Sequence, residues 1–241
     1  MNSTRRDFLV KLAATVPIAL NTGCFRAPSK AKAVVGFIDI SASVKDYSAY
    51  REAWLKILDH LGPGDRVLIG TISDRTLTDF RPLLDCELPK YNYWLDAREN
   101  YDEATGKVRA TLSGAIDKAE KMPRSPKTDI MNAFWLAGEV FAGDPRKPVV
   151  MLFSDMMEDS AAANFYVTHL DEATTTRIIT QKKRKDELPT LRGAQVYVIG
   201  ASAAAAERAF EVERFWIRFV KAAGGNLAPE NYGPTFLNFD E

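Results

Sequence analysis

Asp39-Ile40-Ser41-Ala42-Ser43 puts one carboxylate and two hydroxyls at alternate positions, so that all three can converge from a single turn. These are hard oxygen ligands, suited to Mg²⁺ or Ca²⁺ rather than to Zn²⁺ or copper. Much later in the chain a second carboxylate, Asp155, closes the apolar segment Pro148 to Phe153. Two carboxylates side by side in a dry crevice repel unless a cation sits between them. The same residues also have an ordinary use, in which the aspartates cap helices and the hydroxyls bond to nearby backbone.

The elements needed to bring Asp39 and Asp155 together can be read from periodicity. Val34-Val35-Gly36-Phe37-Ile38-Asp39 is an unbroken apolar run ending in a carboxylate, as expected of a parallel strand covered on both faces. Tyr50, Ala53, Trp54, Ile57, Leu58 and Leu61 then repeat at helical spacing, and Gly62-Pro63-Gly64-Asp65 ends that helix. Arg66 to Ser73 reads as a second strand, with Thr76 to Leu84 as an antiparallel edge beside it across Ser73-Asp74-Arg75. Asp85 to Tyr101 has no sustained period and reads as an inserted loop.

Val108, Leu112, Ile116 and Met122 mark a second helix; Ile130, Phe134, Leu136 and Val140 mark a third after Pro123 to Pro126. Pro148 to Phe153 is a strand, Asp171 to Lys185 a helix and Ala194 to Gly200 a further strand. A long helix through Phe210, Phe215, Ile217, Phe219 and Val220 stops at Gly224-Gly225, and Thr235 to Phe239 is the expected last strand. Alternation of this kind predicts an α/β fold: a doubly wound, mostly parallel sheet with one antiparallel edge strand and helices on both faces. In such a sheet ligands gather at the carboxyl ends of the strands, where Asp39 and Asp155 both fall.

Thr128 enters through topology. The edge strand runs down, so the helix carrying Leu112 and Ile116 must climb back, and Thr128 lies at the crest before the next helix descends. Together, Asp39-x-Ser41-x-Ser43, Thr128 followed by Ile130 and Ala133, and an apolar strand ending in Asp155 resemble the von Willebrand factor A (VWA) family. Leu61-Gly62-Pro63-Gly64-Asp65-Arg66-Val67 looks like that family's turn into its second strand, and Ser73-Asp74 like its ending. The resemblance runs from about Ala33 to the C-terminus. It implies a metal-ion-dependent adhesion site with Asp39, Ser41, Ser43, Thr128 and Asp155 around Mg²⁺, or Ca²⁺ or Mn²⁺. It also implies an open coordination position, filled by a carboxylate from a protein partner. Lys127 and Met156 depart from the family, which often has glycine before the threonine and after the final aspartate.

Ahead of this domain, Thr4-Arg5-Arg6-Asp7-Phe8-Leu9 and the short apolar run from Leu9 to Leu20 resemble a twin-arginine export signal. Leu20-Asn21-Thr22-Gly23-Cys24 resembles a lipobox, with Asn21 where an aliphatic is usual. The expected organisation is therefore an export signal at 1–24 with lipidation at Cys24, a tether at 25–33 and a VWA-like domain at 34–241, with insertions near 85–105 and 156–193. The expected location is the cell envelope or periplasm, reached by the twin-arginine route, with a lipid anchor to the membrane. Lipidation of Cys24 leaves Cys86 alone, with no disulfide in the domain.

Composition narrows the remaining classes. Lys plus Arg equals Asp plus Glu at 32 each, which gives no electrostatic footprint for nucleic acid. Signature motifs of serine hydrolases, P-loop nucleotide enzymes and zinc proteases are missing from the sequence. His60 and His169 are the only imidazoles. Lys182-Lys183-Arg184-Lys185 is followed at once by Asp186 and Glu187 and reads as a solvated helix face. The first expectation is a non-enzymatic binding module that engages a protein partner through a divalent ion. The alternatives are a metal-dependent phosphoryl-transfer enzyme using Asp39 and Asp155, and a structural module whose metal site is vestigial.

Overall fold

The computed structural model describes residues 30–92, 95–201 and 206–235. Arg5, Arg6 and Cys24 lie outside these residues, as do Tyr93, Trp94 and the stretch 236–239 of the expected last strand.

Six strands form one sheet: β1 (Lys32–Asp39), β2 (Arg66–Ile72), β3 (Leu84–Glu87), β4 (Lys147–Phe153), β5 (Gln195–Ile199) and β6 (Tyr232–Gly233). They lie in the order β3-β2-β1-β4-β5-β6, with β3 antiparallel to β2 and every other pair parallel. This is a doubly wound α/β sheet. Its winding reverses between β1 and β4, the switch point where open α/β sheets leave a crevice.

The apolar runs are unbroken because both faces are covered. Val35 and Phe37 of β1 pack into the cluster with α4 (Ile130–Phe141), α5 (Glu172–Arg184) and α6 (Ala206–Ala222). Val34 and Ile38 point the other way, into the cluster with α1 (Ser48–Asp59), α2 (Arg98–Ser113) and α3 (Ala115–Glu120). Trp54 of α1 is fully buried and donates its indole N–H to the Leu112 carbonyl at 2.7 Å, tying α1 to α2.

Several elements differ from the sequence reading. The antiparallel edge is Leu84–Glu87, later than Thr76 to Leu84, because Thr76 instead folds back and hydrogen-bonds Ser73. The supposed loop from Asp85 to Tyr101 thus contributes the end of β3 and the start of α2. One helix becomes two, α2 and α3, separated at Gly114. Phe210 is exposed, so the buried stripe of α6 starts at Val212. The last described strand is Tyr232–Gly233, ahead of 235–239. Cys86 sits half-buried on β3 with a free thiol. His60 caps the end of α1, and its ring meets the Lys56 carbonyl at 2.8 Å. Among the described residues no helix is long and apolar enough to cross a membrane.

Candidate metal centre

β1 and β4 are adjacent and in register, Ile38 opposite Phe153, so Asp39 and Asp155 emerge at the same edge beside the switch point. Asp39 is fully buried and each carboxylate oxygen accepts one hydrogen bond: Oδ1 from the Ser41 amide at 2.8 Å, Oδ2 from the Ser154 hydroxyl at 2.6 Å. Burial above all, with Asp155 adding repulsion against the opposing hydrogen bond from Ser154, raises the Asp39 pKa to about 6. Asp155 is also raised, chiefly by burial, although the Met157 amide donates to its Oδ1 at 2.9 Å. Two carboxyls pushed toward neutrality by a shared crevice are the electrostatic signature of a site short of positive charge.

The hydroxyls follow the turn. Ser41 is buried, Ser43 is exposed, and their oxygens lie 2.8 Å apart. Neighbouring corners of an octahedron with bonds of about 2.0–2.1 Å, the Mg²⁺ preference, are separated by about 2.9 Å. The pair therefore suits two adjacent coordination positions. Among the described residues no group of three or more His, Cys, Asp and Glu gathers at metal-binding spacing. An ion here would rely on two carboxylates with hydroxyl oxygens, an all-hard set that fits Mg²⁺, Ca²⁺ or Mn²⁺.

Thr128 reaches the same edge on a separate loop. The Ser125 amide donates to the Ile40 carbonyl at 2.9 Å, and the Ala42 amide to the Ser125 carbonyl at 3.0 Å. The Asp129 amide bonds the Ser73 carbonyl at the end of β2, and Thr128 exchanges two backbone bonds with Asp159. Thr128 is buried, and its hydroxyl makes no hydrogen bond to the other four residues. Lys127 is exposed, and its carbonyl accepts from the Ser125 hydroxyl at 2.7 Å.

Met156 stands in a left-handed conformation at φ 66°, the geometry that favours glycine. This twist lets the Met156 amide bond the Ser154 hydroxyl at 3.0 Å and the Met157 amide bond Asp155. The Met156 side chain is fully buried, and its carbonyl accepts from the indole of Trp216 at 2.9 Å. Met156 thus combines a glycine-like backbone conformation with a core side chain.

Several residues around the centre escaped the sequence reading. Ser154 holds Asp39; its only signal was its place between the strand and Asp155. The Tyr47 hydroxyl donates to the Asp39 carbonyl at 2.7 Å, and Arg124 lies over the Tyr47 ring, 4.7 Å from its centroid. Tyr166 stands near Ser43 and Asp155; burial first, then Asp155, raise its phenol pKa against the opposing Ser43 hydrogen bond. Glu158 is fully buried, and its Oε2 accepts from the Ile130 and Met131 amides at 2.8 and 3.2 Å, capping α4. Among the described residues its Oε1 has no hydrogen-bond partner, and burial pushes its pKa to about 8.

No known family's sequence pattern matches the chain, and no curated protein matches it. Among solved structures, it is similar to a von Willebrand factor type A protein from Catenulispora acidiphila, at 17% identity and TM-score 0.43, over 81% of this chain and 43% of that one. It is similar to the pilus adhesin SpaC from Lactobacillus rhamnosus GG in its open conformation, at 13% identity and TM-score 0.49, over 86% and 28%. A third likeness is the ArnB paralog VWA2 from Sulfolobus acidocaldarius, at 15% identity and TM-score 0.37, over 71% and 35%. The chain spans less than half the length of each of these proteins.

Proposed function

We propose that this chain is a VWA-like binding module that holds a divalent ion, Mg²⁺ or else Ca²⁺ or Mn²⁺, with Asp39, Ser41, Ser43, Thr128 and Asp155, and captures an acidic group of a protein partner. The observation that carries this reading is the meeting of two pKa-raised aspartates and a 2.8 Å pair of serine hydroxyls at one switch point. Asp39 anchors the buried side, held by Ser154 and the Ser41 amide. Ser43 and the partly exposed Asp155 face solvent, so the approach for a partner lies on their side. The bound ion would supply a Lewis-acidic position for the incoming carboxylate. Exposed Lys127 stands next to Thr128 and adds a positive charge that an acidic partner would meet.

The module acts by binding and carries out no reaction of its own. Behind it, the twin-arginine-like segment and Cys24 support export to the cell envelope and a lipid tether. Calorimetric titration with Mg²⁺, Ca²⁺ and Mn²⁺ tests the centre: at least one ion binds the wild type, and Asp39→Ala abolishes that binding. Undiminished binding in Asp39→Ala would remove the site from these residues. Turnover of an aryl phosphate that disappears in Asp39→Asn would replace the adhesion reading with phosphoryl transfer.

A further inference from the structure

A cavity of about 160 Å³ opens beside Asp155, between α6 and the ends of β5 and β6. Ala201, Val212 and Pro234 give it apolar walls, and its polar groups are Asp155, Glu213 and the Tyr232 hydroxyl. Among the described residues, the Glu213 carboxylate makes no ion pair and no hydrogen bond, and the Tyr232 hydroxyl makes no hydrogen bond. Burial raises the Glu213 pKa. Burial, then Glu213 and Asp155, push the Tyr232 phenol up as well. A partly buried carboxylate with no partner among the described residues, set beside a second carboxylate, favours a cation as the ligand of this cavity. Asp155 after β4 and Glu213 on α6 both line it and disfavour an anion.

We propose that this cavity takes an alkylammonium group, such as a lysine side chain of the partner, with its stem against Ala201, Val212 and Pro234 and its head between Glu213 and Tyr232. The volume suits that size, since an apolar cavity of about 150 Å³ admits benzene. The ammonium would make charge-assisted hydrogen bonds to Glu213 and Tyr232. If the centre holds its ion, the module reads a basic and an acidic group side by side, which a surface with one charge sign cannot supply. The pocket itself does not require the ion, because Glu213 lies on α6 and is no part of the ligand set.

The test uses amide-resonance shifts of the full chain on titration with n-butylammonium, its neutral counterpart n-butanol, and N-acetyl-lysine methylamide. n-Butylammonium is expected to bind with a Kd on the order of millimolar, as its few heavy atoms permit, and to shift Ala201 and Gly233. Glu213→Gln should weaken it about tenfold or more, and Tyr232→Phe less. Asp39→Ala should leave it intact, so a failed metal centre and a failed pocket are told apart. Binding of the capped lysine identifies a side chain as the occupant; binding of the free amine alone identifies a small-molecule amine, with the ligand class upheld. Equal shifts from n-butanol, or n-butylammonium binding unaffected by Glu213→Gln, would overturn the proposal.

Discussion

Proton and metal should compete for Asp39, with a size the structure sets. Its carboxyl titrates near 6 in the fold and near 3.8 when unfolded, because burial and the neighbouring Asp155 disfavour the charge. A raised folded pKa gives stability that is fully present below about 3.8 and is lost as pH climbs through about 6. The loss is on the order of 3 kcal/mol by pH 8, the shift converted at about 1.4 kcal/mol per unit. A divalent ion reverses the penalty, since it requires the charged form. Metal affinity should therefore fall about tenfold between pH 7 and pH 5 from Asp39 alone, as its ionised fraction drops. Asp155, also raised, adds to that slope. The assay is Mg²⁺ or Mn²⁺ calorimetry at half-unit pH steps, paired with thermal unfolding with and without ion. Asp39→Asn should lose metal binding and make the ion-free protein more stable at pH 8. Affinity flat from pH 7 to pH 5, or an Asn variant less stable than wild type at pH 8, would refute the electrostatic account.

Glu158→Gln should unfold near the wild-type denaturant midpoint at about pH 4 yet outlast it at pH 9. Glu158's folded pKa of about 8 against 4.5 means its contribution is lost progressively from about pH 4.5 up through 8, by up to roughly 5 kcal/mol; parallel pH profiles would contradict this. Met156→Gly should relieve the left-handed backbone, worth about 1–2 kcal/mol, but lose a fully buried side chain worth about 2–5 kcal/mol. Urea unfolding should then show a net loss of about 1–3 kcal/mol with metal binding retained. Gly200→Ala should cost at least about 3 kcal/mol, because φ is 94° and the new methyl would press into the Tyr50 ring; an unchanged midpoint would mean that this turn can shift. Tyr47→Phe removes the hydroxyl that satisfies the buried Asp39 carbonyl and should cost about 1–3 kcal/mol in the same assay.

The parts of the fold legible in the sequence were those where burial on two faces leaves a pattern. Val34 to Ile38 and Val149 to Phe153 are continuous apolar runs because each face meets its own layer of helices. The aspartates that follow them, Asp39 and Asp155, then mark the edge of the candidate site. β3 was misplaced because Leu84-Asp85-Cys86-Glu87 is short and edge-lying, with Asp85 bound to Arg66 rather than buried. Thr76 to Leu84 carries the better strand propensity, but its polar groups are used locally. The segment after Asp155 was opaque for another reason. Its order comes from side chains bonding backbone, such as Glu158 on the start of α4, and pairs such as Asn164 with Asp159 at 2.9 Å. Bonds of that kind have no period.

Local cost is concentrated at Asp39 and on the short stretch Asp155 to Glu158, and its components have different remedies. The raised carboxyls of Asp39 and Asp155 are electrostatic, and a cation between them would remove that penalty. The left-handed Met156 is conformational, and no ligand removes it; it is offset by the buried side chain and by Trp216, itself packed against Phe134, Phe165, Phe215 and Phe219. Without that anchor the turn would be free to relax, and Asp155 would lose the Met157 amide that orients it. The aromatic core beneath α6 therefore holds the carboxylate in place whether or not an ion is bound. Preorganisation of this kind would let the proposed metal binding draw on charge, since the backbone cost is already met by folding.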